Sequence, residues 1–251
     1  MLQLHIIKPL LQLKDDLLDF IYPQSCPICK KSLSQEEKEV CKNCWKNLVI
    51  LPHSFCPYCM LFFEEDDSIF KHSCDSLSRP SDRRILAVRS LGTFDDYYKT
   101  LIHRIKYNKK IPLGKRLAIS LGEETAKERE FLSCDLVIPV PLYRARKRER
   151  GFNQSEILAG GITRALNIAI SGNILKRTKN TKDQTNLNAQ QRRENVRNAF
   201  VVTQPNMVIG KKVILVDDVM TTGATLNECA RVLLDIGAKG VFAATLAVVV
   251  E

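Results

Sequence analysis

The residues from Val213 to Leu226, VILVDDVMTTGATL, place two carboxylates after an apolar run and before a short loop of threonine and glycine. In parallel α/β sheets, ligands bind outside the carboxyl ends of the strands. A turn that offers backbone N–H groups, hydroxyls and a helix N-terminus suits a monophosphate, and glycine permits the tight backbone. The predicted phosphate loop comprises Thr221, Thr222, Gly223, Ala224 and Thr225.

The two carboxylates, Asp217 and Asp218, cannot bind the phosphate itself because like charges repel. We therefore expect them to bind a neutral polar group or a cation beside it, and sugar hydroxyls and Mg²⁺ both meet that need. The competing interpretation is structural, with a strand followed by a capped helix and the aspartates as turn residues. The acidic pair, the apolar run and the following helix together favour a ligand site.

Paired cysteines form a second group of chemically active residues. The pattern C-x-x-C occurs three times, with eleven residues between successive pairs. A gap of two residues lets both thiolates of a pair reach one tetrahedral zinc ion. In the cytoplasmic protein that we expect, this repeated pairing indicates zinc rather than disulfides. The first predicted zinc site is formed by Cys26, Cys29, Cys41 and Cys44.

The second predicted zinc site has natural ligands in Cys56, Cys59 and Cys74. A regular closing pair would place a cysteine at position 71, where the chain has Lys71. Either His72 is the fourth ligand in a shifted geometry, or the site is incomplete and holds its ion more weakly. Closed four-ligand sites leave no position for a substrate, so both ions are expected to be structural.

The segment from Leu142 to Arg150 holds five Lys or Arg residues and one Glu directly after a predicted buried strand. We expect a loop whose guanidinium groups suit a diphosphate, since Arg donates a bidentate fork. A basic surface loop and a track for a DNA backbone are the alternatives. The predicted pyrophosphate ligands are Arg144, Lys147, Arg148, Arg150 and Gly151.

A second basic segment, Lys176 to Arg197, holds seven Lys or Arg residues and two acids. It is long for a loop in a compact domain, so we expect a functional or mobile flap that ends in a short helix. Gln184, Thr185 and Asn186 are its candidate polar contacts.

Beyond about Arg83, β-branched apolar runs alternate with helical patterns. This alternation predicts a mainly parallel α/β sheet with helices on both faces. The cysteine-rich segment lacks such periodicity and is too small to build its own apolar core. We therefore predict three parts: an amphipathic helix within residues 1–23, a zinc-ribbon module at 24–80, and an α/β domain at 81–251.

The net charge of +10 is unevenly distributed, because residues 1–75 carry 8 basic and 11 acidic side chains and the remainder carry 30 and 17. A basic α/β domain suits an anionic ligand, either nucleic acid or a phosphate-rich small molecule. The N-terminus lacks the features of a secretory signal. We expect a cytoplasmic protein, and a peripheral position at the inner face of the membrane stays open.

The stretch VILVDDVMTTGATL is similar to the phosphoribosyl pyrophosphate fingerprint of type I phosphoribosyltransferases. In that family the acidic pair contacts the ribose 2′- and 3′-hydroxyls, and the loop that follows binds the 5-phosphate. The resemblance assigns the ribose to Asp217 and Asp218 and the phosphate to Thr221–Thr225, with Mg²⁺ bound together with phosphoribosyl pyrophosphate.

Two further stretches, IPVPLYRARKRERGFNQSE and RTKNTKDQTNLNAQQRRENVRNAF, resemble the ComF family together with the cysteine-rich N-terminus. Similarity to ComFC-type proteins covers nearly the whole chain. It implies a double zinc ribbon joined to a type I phosphoribosyltransferase-like domain, and a role in natural transformation. The implied partners are phosphoribosyl pyrophosphate, single-stranded DNA on the basic α/β domain, and proteins of the DNA-uptake machinery.

Three functions follow from these observations. The first is a competence-associated protein that binds phosphoribosyl pyrophosphate and single-stranded DNA. The second is an active phosphoribosyltransferase with an unidentified acceptor, for which the sequence shows neither a nucleobase pocket nor a clear general base. The third is a non-catalytic interaction protein whose zinc ribbons recruit partners.

Overall fold

A computed structural model describes residues 25–34, 36–37, 39–63, 74, 84–181 and 188–250. The chain divides into two compact units, one ending at Leu48 and the other beginning at Val49. The predicted N-terminal helix lies outside the described residues, and so does the predicted domain boundary at residue 80, which stays a prediction. Within the described part of the chain, no helix is long and apolar enough to cross a membrane.

From β1 onward, one or two helices alternate with one or two strands along the described chain. The helices are α1 (Lys42–Lys46), α2 (Asp96–Asn108), α3 (Ile111–Lys127), α4 (Arg144–Arg150), α5 (Gln154–Leu166), α6 (Ala189–Val196) and α7 (Ala224–Asp235). The strands are β1 (Val88–Thr93), β2 (Leu136–Pro139), β3 (Ala169–Ile170), β4 (Leu175–Arg177), β5 (Phe200–Val202), β6 (Lys212–Met220) and β7 (Gly240–Val248).

Five strands form a wholly parallel sheet in the order β1-β7-β6-β2-β3. Every residue of β7 is buried, as expected for a central strand covered on both faces. Val213 and Leu215 of β6 pack with Leu226 and Leu233 of α7 in one apolar cluster. On the opposite face of the sheet, the ring of Phe242 of β7 packs against the ring of Phe131, with ring centroids 5.3 Å apart. The predicted parallel α/β fold is therefore confirmed.

Helices α3 and α5 approach each other closely because two glycines lie at their contact. A Cβ atom on Gly161 would lie 1.9 Å from the carbonyl oxygen of Ala118, and one on Gly122 would lie 2.4 Å from the carbonyl oxygen of Gly161. No side chain fits at either distance, so the backbones are in direct contact. This contact fixes α5, whose first turn supplies part of the site described below.

Both basic segments contain secondary structure that the sequence analysis did not predict. The segment from Leu142 to Arg150, predicted as a loop, forms helix α4, because Arg, Lys, Ala and Glu are strong helix formers. Gly151 ends it with φ 84°, donating its N–H to the carbonyl of Lys147 at 2.9 Å. At the two ends of the second segment, β4 and β5 pair antiparallel, and the predicted short helix is present as α6.

Candidate functional site

The carboxyl end of β6 carries the predicted acidic pair and leads directly into the predicted phosphate loop. Asp217 is paired in register with Thr245 of β7, so its position is fixed by the centre of the sheet. After Met220 the chain bends, and Gly223 adopts φ 68° as the N-cap of α7. The hydroxyl of Thr222 is buried and has no hydrogen-bond partner among the described residues. An unpaired buried donor beside a helix N-terminus is the environment that an anion satisfies.

Each aspartate is held through one carboxylate oxygen. The Oδ1 atom of Asp217 accepts from the Ser155 hydroxyl at 3.2 Å and from the Asp218 backbone N–H at 2.9 Å. The Oδ2 atom of Asp218 accepts from Nε2 of Gln154 at 3.0 Å and from Nζ of Lys106 at 2.6 Å. The second oxygen of each carboxylate has no partner in the described part of the chain, so one acceptor per aspartate stays available to a ligand.

Burial raises the pKa of Asp217 to about 7, and the neighbouring Asp218 charge acts in the same direction. Burial alone would lower the pKa of Lys106, but its ion pair with Asp218 and the nearby Asp217 raise it above the ordinary value. Lys106 is therefore a cation at neutral pH. Asp217 is the carboxylate whose protonation changes near neutrality.

A cavity of about 590 Å³ opens over this edge of the sheet and contains both aspartates together with part of the phosphate loop. The loop residues on its wall are Thr221, Gly223, Ala224 and Thr225. Six cationic side chains line it: Lys99, Lys106, Arg146, Arg150, Arg177 and Arg192. Two aromatic side chains, Phe94 and Tyr107, complete one side. The cavity therefore suits a ligand that carries several phosphate charges and a polar sugar-like group.

Helix α4 presents its basic side chains on two faces. Arg146 and Arg150 lie one turn apart and line the cavity. Arg150 also donates to Oε1 of Gln154 at 2.6 Å, and its guanidinium lies 5.7 Å from the centre of the Tyr107 ring. Of the predicted pyrophosphate ligands, Arg150 thus lies in the cavity. The others do not line it: Arg144, Lys147, Arg148 and Gly151.

The segment from β4 to α6 contributes the opposite basic wall. Arg177 lies 5.4 Å from the centre of the Phe200 ring and donates to the Thr181 hydroxyl. Burial lowers the pKa of Arg177, and its Nε atom has no partner among the described residues. Arg192 of α6 also faces the cavity. The predicted polar contacts in the intervening segment, residues 184–186, lie outside the described residues.

Several side chains that complete the site were not predicted from the sequence as site residues: Lys106, Gln154, Ser155 and Arg177. A signal for Lys106 exists, since it follows Ile102 and Ile105 on the buried stripe of α2, where lysine is unusual. For Gln154 and Ser155 the sequence offers only a weaker signal, the helix-capping residue Asn153 directly before them. Asn153 caps α5 and donates from Nδ2 to the carbonyl of Val140, which joins this helix N-terminus to the end of β2.

The first cysteine cluster fits a tetrahedral metal ion. The Sγ atoms of Cys26, Cys29, Cys41 and Cys44 all lie within 4.8 Å of one another. Zinc–sulfur bonds of about 2.3 Å place tetrahedral sulfur atoms roughly 3.8 Å apart, and the Cys29 and Cys41 sulfurs are separated by 3.7 Å. Burial opposes ionisation of Cys26, but hydrogen bonds from nearby backbone N–H groups lower its pKa to about 6. The cluster therefore suits structural zinc, as predicted.

The second cluster contains three sulfurs within the same limit, those of Cys56, Cys59 and Cys74. The Cys56 and Cys74 sulfurs are 3.8 Å apart. Burial raises the pKa of Cys56 to about 11, so a bound cation would be needed to hold its thiolate. The predicted fourth ligand, His72, lies outside the described residues and stays a prediction.

Comparison with known proteins agrees with both parts of this architecture. Residues 17–81 match the model of the double zinc ribbon domain, and residues 153–250 match the model of the phosphoribosyl transferase domain. Competence protein F of Haemophilus influenzae is 34% identical over 220 residues, which cover 85% of this chain and 92% of that protein. The DNA utilization protein YhgH of Escherichia coli K12 is 30% identical, covering 87% and 94%.

Competence protein ComFC of Bacillus subtilis is 27% identical and covers 86% of this chain and 91% of its own length. The fold and the two kinds of site define a class of protein in which a double zinc ribbon is joined to a phosphoribosyltransferase-like α/β domain. The chain belongs to the ComF/ComFC family, which confirms the resemblance seen in the sequence.

Proposed function

We propose that the protein binds phosphoribosyl pyrophosphate and single-stranded DNA and acts in DNA uptake. One observation carries the ligand assignment: a single cavity combines the acidic pair, the phosphate loop and four arginines. Phosphoribosyl pyrophosphate has the matching chemistry, because it joins a monophosphate and a diphosphate through a ribose. The role in DNA uptake is supported by the names of the relatives, a competence protein and a DNA utilization protein.

Each part of the cavity takes one part of the proposed ligand. The N–H groups and hydroxyls of Thr221–Thr225 bind the 5-phosphate at the N-terminus of α7. The available oxygens of Asp217 and Asp218 accept hydrogen bonds from the ribose hydroxyls. The guanidinium groups of Arg146 and Arg150 bind the diphosphate, together with Mg²⁺ that the diphosphate carries.

Single-stranded DNA is assigned to the outer face of α4, which is exposed at Arg144, Lys147 and Arg148. Their role as pyrophosphate ligands stays a prediction, but their outward position fits a DNA backbone better. Lys147 is bridged to Glu156 at 2.7 Å, so Arg144 and Arg148 are the stronger candidates. Because phosphate contacts release counterions, this binding should weaken steeply with salt. The expected compartment is the cytoplasm, where DNA-uptake proteins are the expected partners.

Isothermal titration with phosphoribosyl pyrophosphate and Mg²⁺ tests the ligand assignment. The double variant Asp217→Asn, Asp218→Asn removes two charged acceptors, so its affinity should fall about a hundredfold relative to wild type. The matched control Asp235→Asn changes an exposed aspartate near the end of α7 and should bind as wild type does. If wild type binds no phosphoribosyl pyrophosphate at millimolar concentration, the assignment is wrong and the interaction-protein alternative is favoured.

A transferase activity is the second candidate, and the raised pKa of Asp217 favours it. A carboxylate with a pKa of about 7 inside a ligand cavity has the property of a general base at neutral pH. The reaction would displace pyrophosphate from C1 of the ribose by an acceptor nucleophile. Pyrophosphate release measured with a panel of nucleobases and amines tests it, with Asp217→Asn as the inactive control. Release that is unchanged in this variant would contradict the role of Asp217.

A further inference from the structure

Gln154, the first residue of α5, lies between a cationic and an acidic part of the ligand cavity. Its Oε1 atom accepts from the guanidinium of Arg150 at 2.6 Å, and its Nε2 atom donates to Oδ2 of Asp218 at 3.0 Å. All three side chains line the cavity. Gln154 is only 5% exposed, which is unusual for glutamine. Both ends of a buried amide are therefore used to join the two parts of the site.

Only one orientation of the Gln154 amide satisfies both partners. Arginine offers donors alone and a carboxylate offers acceptors alone, so the amide oxygen faces Arg150 and the amide nitrogen faces Asp218. A glutamate at this position would accept from Arg150 but would place a further carboxylate against Asp218. A lysine would donate to Asp218 but would offer Arg150 no acceptor. The position thus requires a side chain that carries a donor and an acceptor together.

The contacts continue beyond each partner of Gln154. Nζ of Lys106 donates to the same Oδ2 atom of Asp218 at 2.6 Å. The guanidinium of Arg150 lies 5.7 Å from the centre of the Tyr107 ring, within the range of a cation–π contact. Tyr107 follows Lys106 in α2, so residues of α2, α4, α5 and β6 form one connected cluster. Gln154 is its direct link between the arginine of α4 and the aspartate of β6.

The backbone of Gln154 is fixed as well as its side chain. Asn153 caps α5, since its Oδ1 atom accepts from the N–H of Ser155 at 3.1 Å. The Nδ2 atom of Asn153 donates to the carbonyl of Val140 at 3.0 Å, which ties the helix N-terminus to the end of β2. The close contact at Gly161 holds the rest of α5 against α3. A side chain on so rigid a support can position the groups that it contacts.

We propose that Gln154 is a positioning residue that couples the two ends of the ligand site, because it holds Arg150 and Asp218 in one hydrogen-bonded chain. Each end is then oriented before a ligand arrives, which lowers the entropy that binding costs. Loss of Gln154 therefore weakens binding at both ends. The parts of the ligand, a diphosphate at Arg150 and a sugar at Asp218, rest on the proposed function. The link between the two side chains does not.

Isothermal titration of the zinc-loaded full chain with two separate probes, inorganic pyrophosphate and ribose 5-phosphate, tests the coupling. Gln154→Met nearly conserves the side-chain volume and removes both hydrogen bonds, so each probe should bind about fivefold more weakly than to wild type. Arg150→Met should weaken chiefly pyrophosphate, and Asp218→Asn should weaken chiefly ribose 5-phosphate. The matched control Gln190→Met changes an exposed glutamine of α6 and should bind both probes as wild type does.

Combined variants separate positioning from a general loss of structure. Added to Arg150→Met, Gln154→Met should weaken pyrophosphate no further but should still weaken ribose 5-phosphate. Added to Asp218→Asn, it should weaken pyrophosphate but should affect ribose 5-phosphate no further. A role in folding alone would instead weaken both probes in every background. If Gln154→Met fails to fold, Gln154→Asn replaces it with the same expectations, because its shorter side chain reaches neither partner.

Unchanged affinity of Gln154→Met for a probe that wild type binds overturns the proposal, and so does equal weakening of both probes in every background. A parallel titration with phosphoribosyl pyrophosphate separates this inference from the proposed function. If wild type and Gln154→Met bind it equally well, the inference fails and the proposed function stands. If wild type binds none, but pyrophosphate binding is still weakened by Gln154→Met, only the proposed function fails. Binding of neither probe by wild type overturns both.

Discussion

The turns at Cys26–Cys29 and Cys56–Cys59, here called the first and second knuckle, share one local structure but have different surroundings. In the first, Ser25 and Ser32 form an antiparallel bridge around Cys26-Pro-x-Cys29; in the second, Phe55 and Phe62 form the same bridge around Cys56-Pro-x-Cys59. Each turn ends in a residue with positive φ, 64° at Lys30 and 60° at Met60. The same short sequence pattern therefore folds in the same way twice.

The first knuckle has little apolar support within its own unit. Its bridge residues, Ser25 and Ser32, are exposed. Apart from the cysteines, Pro27 and Val40 are the buried apolar side chains among the described residues of this unit. A segment of this size cannot balance its conformational entropy with so small a core, so the metal must provide the stability.

The second knuckle is built into the α/β sheet. Phe55 is 1% exposed and exchanges two backbone hydrogen bonds of 2.9 Å with Val88 of β1. The chain leading to it is held by the buried Arg89, which donates to the carbonyl of Leu51 at 2.9 Å and pairs with Glu124 at 3.0 Å. The same cysteine motif therefore depends on its metal in the first knuckle and is supported by a large apolar core in the second.

Removing zinc should produce the largest difference between the knuckles. Structural zinc contributes roughly 10–16 kcal/mol of apparent folding free energy in small zinc modules. We expect a strong chelator to abolish amide-exchange protection around Cys26 and Cys41, while the amides of Phe55 and Val88 keep theirs. Hydrogen exchange read by mass spectrometry checks this. Equal loss of protection in both knuckles would contradict the comparison.

Truncating the bridge residue should produce the second largest difference between the knuckles, measured as the loss of unfolding free energy. Phe55→Ala leaves a cavity beneath β1 and should lower the free energy of unfolding of the α/β unit by about 3–5 kcal/mol. The corresponding change in the first knuckle, Ser25→Ala, alters an exposed side chain and should stay within about 0.5 kcal/mol. Urea unfolding followed by the hydrogen-exchange signal of each unit measures both. An effect below 1 kcal/mol for Phe55→Ala would show that the sheet does not support its knuckle.

Local patterns in the sequence were sufficient to predict much of the fold and part of the site. The apolar run of β6, the acidic pair and the loop after it are contiguous in sequence, so the sequence alone predicts that the pair and the loop lie together at the carboxyl end of a strand. The C-x-x-C spacing likewise predicts a thiolate pair. Helix α4 was predicted wrongly as a loop, because its high density of charge suggested a surface loop although its residues have high helix propensity. The two-residue strand β3 is too short to show the alternation of apolar residues that predicts a strand.

The rest of the site depends on contacts between distant segments. Lys106 reaches Asp218 because α2 returns over the edge of the sheet, and no local pattern encodes that approach. Similarly, the periodicity of α4 alone does not decide that Arg146 lines the cavity while Arg148 faces outward. The C-x-x-C spacing predicts both knuckles. It does not predict the hydrogen bonds between Phe55 and β1, because these depend on tertiary packing.

The smallest predicted difference concerns the second of the two residues between the cysteines of each pair, Ile28 in the first knuckle and Tyr58 in the second. Tyr58 of the second knuckle donates to Oδ1 of Asn227 at 3.1 Å, and Asn227 lies in the first turn of α7 with its N–H on the carbonyl of Gly223 at 2.8 Å. The knuckle thus supports the helix that begins at the phosphate loop. Burial raises the pKa of Tyr58, so its hydroxyl stays a donor at neutral pH.

Replacing Tyr58 by Phe removes this donor and also the acceptor for the backbone N–H groups of Arg84 and Ile85, which lie 2.8 and 3.1 Å away. The α/β unit should lose about 1–2 kcal/mol of unfolding free energy, and affinity for phosphoribosyl pyrophosphate should fall severalfold as the first turn of α7 loosens. The matched change Ile28→Ala in the first knuckle should leave that affinity unchanged. Isothermal titration of both variants measures the contrast, and equal effects would show that the phosphate loop does not depend on the second knuckle in particular.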